Sequence, residues 1–125
     1  MANKEYVDNT VAAASSNELG MPTMLSLKAT SEKTQGQAAQ YCNALNESGY
    51  DDWRLPTLEE LSYAISAIRD TSGSLPTESQ YLWTRTIATS EHFVNGQSYW
   101  LVLNPYNGAW YAYVYSTTRG VRCIR

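Results

Sequence analysis

Residues 49–65 read GYDDWRLPTLEELSYAI, and in the middle of this stretch the chain changes from one kind of structure to another. Residues 53–55 carry two large apolar side chains, Trp53 and Leu55, which suit a short buried segment. Pro56 stops it, because the ring fixes φ and removes an amide donor. Thr57 stands three residues before Glu60, the spacing of a capping box at the start of a helix. Leu58, Leu61, Ile65 and Ile68 then recur at i, i+3, i+7 and i+10, which predicts one apolar stripe facing a core. The stretch DTSGSLPTES (70–79) is turn chemistry and ends that helix.

Upstream, Thr34 and Gln37 repeat the capping-box spacing. Ala38, Tyr41, Cys42 and Leu45 follow at helical intervals, with Cys42 on the buried face and Gly49 as the expected stop. MPTMLSLKAT (21–30) alternates Met24, Ser26 and Lys28 against Leu25, Leu27 and Ala29, which predicts a first strand. Residues 1–20 are small and polar. Their apolar positions, Tyr6, Val7, Val11 and the alanines at 12–14, suit a short helix or a coiled-coil end, too short to stand alone. The division expected is a stalk or linker over 1–22 and a folded domain over 23–125.

Downstream of residue 80 the period becomes extended. YLWTRT (81–86), SYWLVLN (98–104), AWYAYVY (109–115) and GVRCIR (120–125) are rich in aromatic and β-branched residues. Asn107 and Gly108 give a strong hairpin signal between the second and third of them. A strand, two helices and then several mainly antiparallel strands make an α+β domain.

The 125 residues suffice for one domain with one ordinary core. A net charge of −3 argues against a nucleic-acid binder. The charge is uneven: residues 1–75 hold 5 Lys/Arg against 10 Asp/Glu, and residues 76–125 hold 4 Arg against 2 Glu. Arg119, Arg122 and Arg125 dominate the second part and read as a solvated strand end or a small polyanion patch. No run reaches the roughly 20 apolar residues of a membrane span, so no membrane insertion is expected. The N-terminus lacks the regions of a signal peptide, so either an export or assembly signal lies outside this sequence or the protein is expected to leave the cell by lysis. Cys42 and Cys123 are 81 positions apart, which excludes a CxxC motif. They fit either two buried thiols or a disulfide.

The string WRLPTLEEL (53–61) resembles the WRLPT-x-x-EL signature of a bacterial and phage domain family typified by the C-terminal domain of the Legionella collagen-like adhesin. QAAQYCNAL (37–45) resembles that family's first-helix cysteine segment. YLWTRT resembles its Trp-Ser-Ser strand, departing at Thr84 and Arg85. YWLVLNPYNG (99–108) resembles its next strand and turn, and GVRCIR its closing VRCVR strand. The pieces span about residues 23–125 in the family's order. The resemblance implies a C-type-lectin-like fold with its two ends close together, and a disulfide between Cys42 and Cys123. NKEYVD (3–8) is similar to a segment that often precedes the distal domain of phage tail fibres and related trimeric adhesins. Together these imply a homotrimeric fibre tip, on a virion or a bacterial surface.

Catalytic chemistry finds little material. His92 is the sole histidine, beside Glu91 and Phe93, with no nucleophile motif. Glu59 and Glu60 are adjacent on a helix and point apart, and Asp51 and Asp52 lie in a turn. The related formylglycine-generating enzymes need catalytic cysteines, whereas both cysteines here are better explained structurally. Calcium wants six to eight oxygen ligands with several carboxylates, and LNPYNG (103–108) and EHFVNG (91–96) lack paired ones. The expectation is no enzyme, no metal and no cofactor.

What stands out is NPYNGAWYAYVYS (104–116), with five aromatic rings and no charge. Alternation puts Tyr111, Tyr113 and Tyr115 on one side of a strand and Trp110, Ala112 and Val114 on the other. The second set is the expected core face, and the tyrosines the expected outer one. Tyrosine gives large contact area at low entropy cost, with a hydroxyl for hydrogen bonds. The predicted binding face is Asn104, Tyr106, Asn107, Trp110, Tyr111, Tyr113 and Tyr115 with Arg85, and the predicted partner is a host cell-surface protein or glycan. The alternative is packing on a loop or a second chain. A polyanion reading, such as a glycosaminoglycan, would instead use Arg119, Arg122, Arg125 and Arg85. The Tyr/Asn/Ser/Thr bias also resembles the variable region of diversity-generating-retroelement targets, which would fall within residues 85–118.

Overall fold

A computed structural model describes residues 20–88 and 97–125. Most of residues 1–22, the expected stalk, and Glu91, His92 and EHFVNG with them, lie outside the described residues. The elements run α1 (Gln35–Ala44), α2 (Leu58–Ala67), β1 (Leu82–Ile87), β2 (Tyr99–Leu103) and β3 (Trp110–Val114). The fold is α+β, with a three-stranded antiparallel sheet in the order β1-β2-β3. No described helix is long and apolar enough to cross a membrane.

Both helices begin at the caps read from the sequence. The Thr34 hydroxyl accepts from the Gln37 amide while the Gln37 side chain accepts from the Thr34 amide, and Thr57 and Glu60 do the same for α2. α1 ends earlier than expected, at Ala44 with Leu45 as its cap. Gly49 is therefore no helix stop. It lies in a separate tight turn closed by paired backbone bonds between Glu47 and Tyr50.

The expected first strand is an extended segment without a regular ladder. Its amides bond the end of the chain at irregular intervals: Met24 to Arg125, Ser26 to Cys123, Ala29 to Val121 and Lys33 to Arg119. The alternation fails accordingly. Leu27 is exposed, and Ser26 is buried with its hydroxyl accepting the Cys123 amide at 2.7 Å. The closing segment, likewise expected as a strand, is held by single bridges. Arg54 and Ile124 exchange two backbone bonds, and Gly120 bonds the backbone on both sides of Leu82. Residues 120–124 are buried in succession because neighbours enclose them on several sides.

The sheet has apolar cover on both faces. On one lie Trp83 and Val102 with Ala38 and Cys42 of α1, Trp53, Leu55, Val121 and Cys123. On the other, Leu82 and Leu103 meet Leu61 of α2, flanked by Leu58 and Ile65. Cys42 and Cys123 are joined by a disulfide with Cα atoms 5.5 Å apart. The Thr84 hydroxyl donates to Leu101 O at 2.8 Å, so the departure from serine keeps a hydroxyl where the sheet uses one.

Candidate functional site

The β2–β3 hairpin carries most of the predicted binding residues, and its tip is built by its two asparagines. The Asn104 side chain accepts the Tyr106 amide, and that of Asn107 the Ala109 amide, each at 2.9 Å. Gly108 takes φ +74°, a left-handed conformation that side chains resist. Asn104 is buried, so its side chain shapes the turn from within, while Asn107 stands exposed at the tip.

Register divides the aromatic residues. Val102 pairs with Tyr111 and Trp100 with Tyr113, so these tyrosines share the face of Trp83 and Val102. Leu103 pairs with Trp110, which puts the indole on the α2 face. The expected division into one core face and one outer face is therefore corrected. Both faces are covered near β1 and β2, and β3, the last strand in the order, extends past both covers. Tyr113 packs against the larger core, whereas Tyr106, Trp110, Tyr111 and Tyr115 are 71%, 57%, 51% and 49% exposed.

On the tyrosine side, the Tyr81 ring meets those of Tyr111 and Tyr113 edge to face, with centroids 5.5 and 6.0 Å apart. The Arg119 guanidinium lies 4.2 Å from the Tyr113 ring centroid. Loss of hydration and the neighbouring Tyr111 and Tyr113 raise the Tyr81 hydroxyl above the ordinary tyrosine range. Tyr81 belongs to this cluster but was missed in the sequence, because it precedes β1 and is 30 positions from Tyr111.

On the Trp110 side a groove of about 550 Å³ opens between α2 and the hairpin. Leu58 and Leu103 form its apolar part, and Gly108 and Trp110 line it from the hairpin. Glu59, Ser62 and Tyr63 line it from α2, at i, i+3 and i+4 on one helical face. The sequence signal was present in that spacing. The apolar stripe that adjoins this face, and shares Leu58 with the groove, accounts for the helix without it.

The arginines do not gather into one free patch. Arg122 is buried, donating to Glu78, Asp70 and Ser26 O. Arg125 donates to Asp52, at 3.0 Å for Nη2, and stacks on Tyr50. Arg85 is exposed beside Glu60, which Arg54 also binds. Among the described residues, no group of three or more His, Cys, Asp or Glu side chains could hold a metal ion.

A family model described as the Lcl C-terminal domain matches residues 8–125. The match extends upstream of residue 23, into the segment read as a stalk. No curated protein matches the chain.

Proposed function

This chain belongs to the Lcl C-terminal domain family, and we propose that it acts there as a non-enzymatic adhesive domain at a cell or virion surface. Its binding element is the β2–β3 hairpin, which takes a host cell-surface protein or glycan through exposed aromatic rings. One observation carries this reading: four large rings between residues 106 and 115 stay about half exposed or more on a short hairpin whose other strand anchors it in the core through Val102 and Leu103. Burying such rings against a partner is the main source of affinity at compact interfaces.

A C-type-lectin-like organisation and a place at the tip of a trimeric fibre belong to the same proposal. Their support is the pairing of residues 23–24 with Arg125, which puts both ends of the domain together, and the disulfide joining α1 to the closing segment. Trimerisation would add avidity to weak single sites. Diversification within residues 85–118 is also part of it. Comparison of sister isolates should find substitutions concentrated at 106, 110, 111 and 115; an even spread of changes along the chain would remove this part.

The test is binding of the labelled domain to a panel of bacterial and animal-cell surfaces and glycans at low and high salt. Trp110→Ser and a Tyr111→Ser/Tyr115→Ser variant are run beside the parent. Binding that resists salt and drops in at least one variant supports the reading. Binding unchanged in both, and abolished by salt, would return the arginines to first place.

A further inference from the structure

Resting on the reading of the hairpin as the binding element, we infer that the groove between α2 and Trp110 is a subsite for a sugar unit carrying no acidic group. Its volume of about 550 Å³ lies within the span of small-ligand clefts, about 300–1,000 Å³.

The chemistry of the lining suits a pyranose. The exposed indole of Trp110 offers a flat π face with negative potential, against which the weakly positive C–H face of a sugar ring stacks. Tyr63 adds a second half-exposed ring. Sugar hydroxyls need partners that both accept and donate. The Glu59 carboxylate accepts, and the Ser62 hydroxyl does both. Neither side chain has a hydrogen-bond or ionic partner among the described residues, so both are open to a ligand.

Charge narrows the class. Among the described residues Glu59 is the one charged residue lining the groove, and it is negative. Among the described residues no cation lines the groove to compensate, so like-charge repulsion disfavours a uronate or sulfate ester. Neutral hexoses and N-acetylhexosamines meet no such barrier.

Indole N–H signals of the ¹⁵N-labelled 125-residue chain make the test. Trp53, Trp83 and Trp100 donate internally, to Tyr50 O at 3.0 Å, Lys33 O at 2.7 Å and Ser98 Oγ at 3.3 Å. Trp110 has no internal acceptor among the described residues, so its signal reports on the groove. The chain is titrated with the methyl glycosides of glucose, galactose, mannose, N-acetylglucosamine and glucuronic acid. The expected result is movement of the Trp110 indole and the amides of residues 59–63 with at least one uncharged glycoside, and at least about tenfold weaker response to the glucuronide. Glu59→Gln should narrow that difference. No movement with any uncharged glycoside, or an equal response to the glucuronide, overturns the inference. If surface binding still depends on Tyr111 and Tyr115 in that case, the hairpin reading stands and only the subsite falls. If no aromatic variant affects surface binding, the hairpin reading falls as well.

Discussion

Arg122 holds Glu78 through two parallel hydrogen bonds, Nε to Oε2 at 2.8 Å and Nη2 to Oε1 at 3.1 Å, across 44 positions of sequence. Its Nη1 also reaches Asp70 at 3.2 Å and Ser26 O at 2.7 Å. Arg122→Met therefore strands Glu78 and the Ser26 carbonyl and leaves Asp70 only its serine partners, and should lower stability by about 3–5 kcal/mol. Arg122→Lys should recover only part of this, because an ammonium cannot reproduce the planar fork. Urea unfolding of the two variants measures both effects.

These two carboxylates, with Glu60, make stability sensitive to acid. Burial pushes Asp70, Glu78 and Glu60 upward, but the bonds each accepts outweigh it, from serine groups and Arg122, from Arg122, and from Arg54 and the Thr57 amide, so all three sit below the usual range. A depressed folded-state pKa contributes stability in full above the unfolded value, about 4, and loses it as pH falls through the folded value. Unfolding free energy should hold steady down to about pH 5 and fall steeply below about pH 4. Arg122→Met should show a shallower acid slope than the parent in the same titration.

Joining Cys42 to Cys123 closes most of the domain into one loop. Replacing both cysteines with alanine should cost on the order of 4 kcal/mol in the chain-entropy model. Thermal unfolding with and without reductant checks it: the parent should lose stability on reduction and the double variant should not respond.

The tyrosines of β3, and Tyr115 just beyond it, should separate by role. Tyr113 packs against the main core, so Tyr113→Ser should cost about 1–3 kcal/mol. Tyr115→Ser should stay within about 0.5 kcal/mol of the parent, since its ring is half exposed; Tyr111→Ser should cost about 0.5–1.5 kcal/mol, because it also loses the edge-to-face contact with Tyr81. Denaturant midpoints for the three variants give the comparison, and they show which substitutions are safe for binding work.

Elements governed by local physics were legible in the sequence. Thr34 with Gln37 and Thr57 with Glu60 cap their helices through contacts three residues apart, and Asn107 with Gly108 shapes the hairpin turn. Long-range features were not. Ser26 is buried because the Cys123 amide, 97 positions away, needs its hydroxyl, and this defeats the alternation expected of a first strand. Arg122 read as part of a surface patch, yet carboxylates 44 and 52 positions away draw it inside. Alternation along β3 separated Trp110 from the tyrosines correctly. It could not assign either set to a core, because α2 covers one face of the sheet and α1 the other.

The covalent link between Cys42 and Cys123 also decides how the domain carries tension. When a ligand grips the hairpin at Trp110 and the chain is pulled at Gly20, force runs along residues 20–42, crosses the sulfur bridge, and returns from 123 to 110. Residues 43–109, including α2 and the first two strands, lie off that route. The extension available before a covalent bond must break is limited to this short path. Dragged by a moving surface, the domain would behave as a short tether that stretches little.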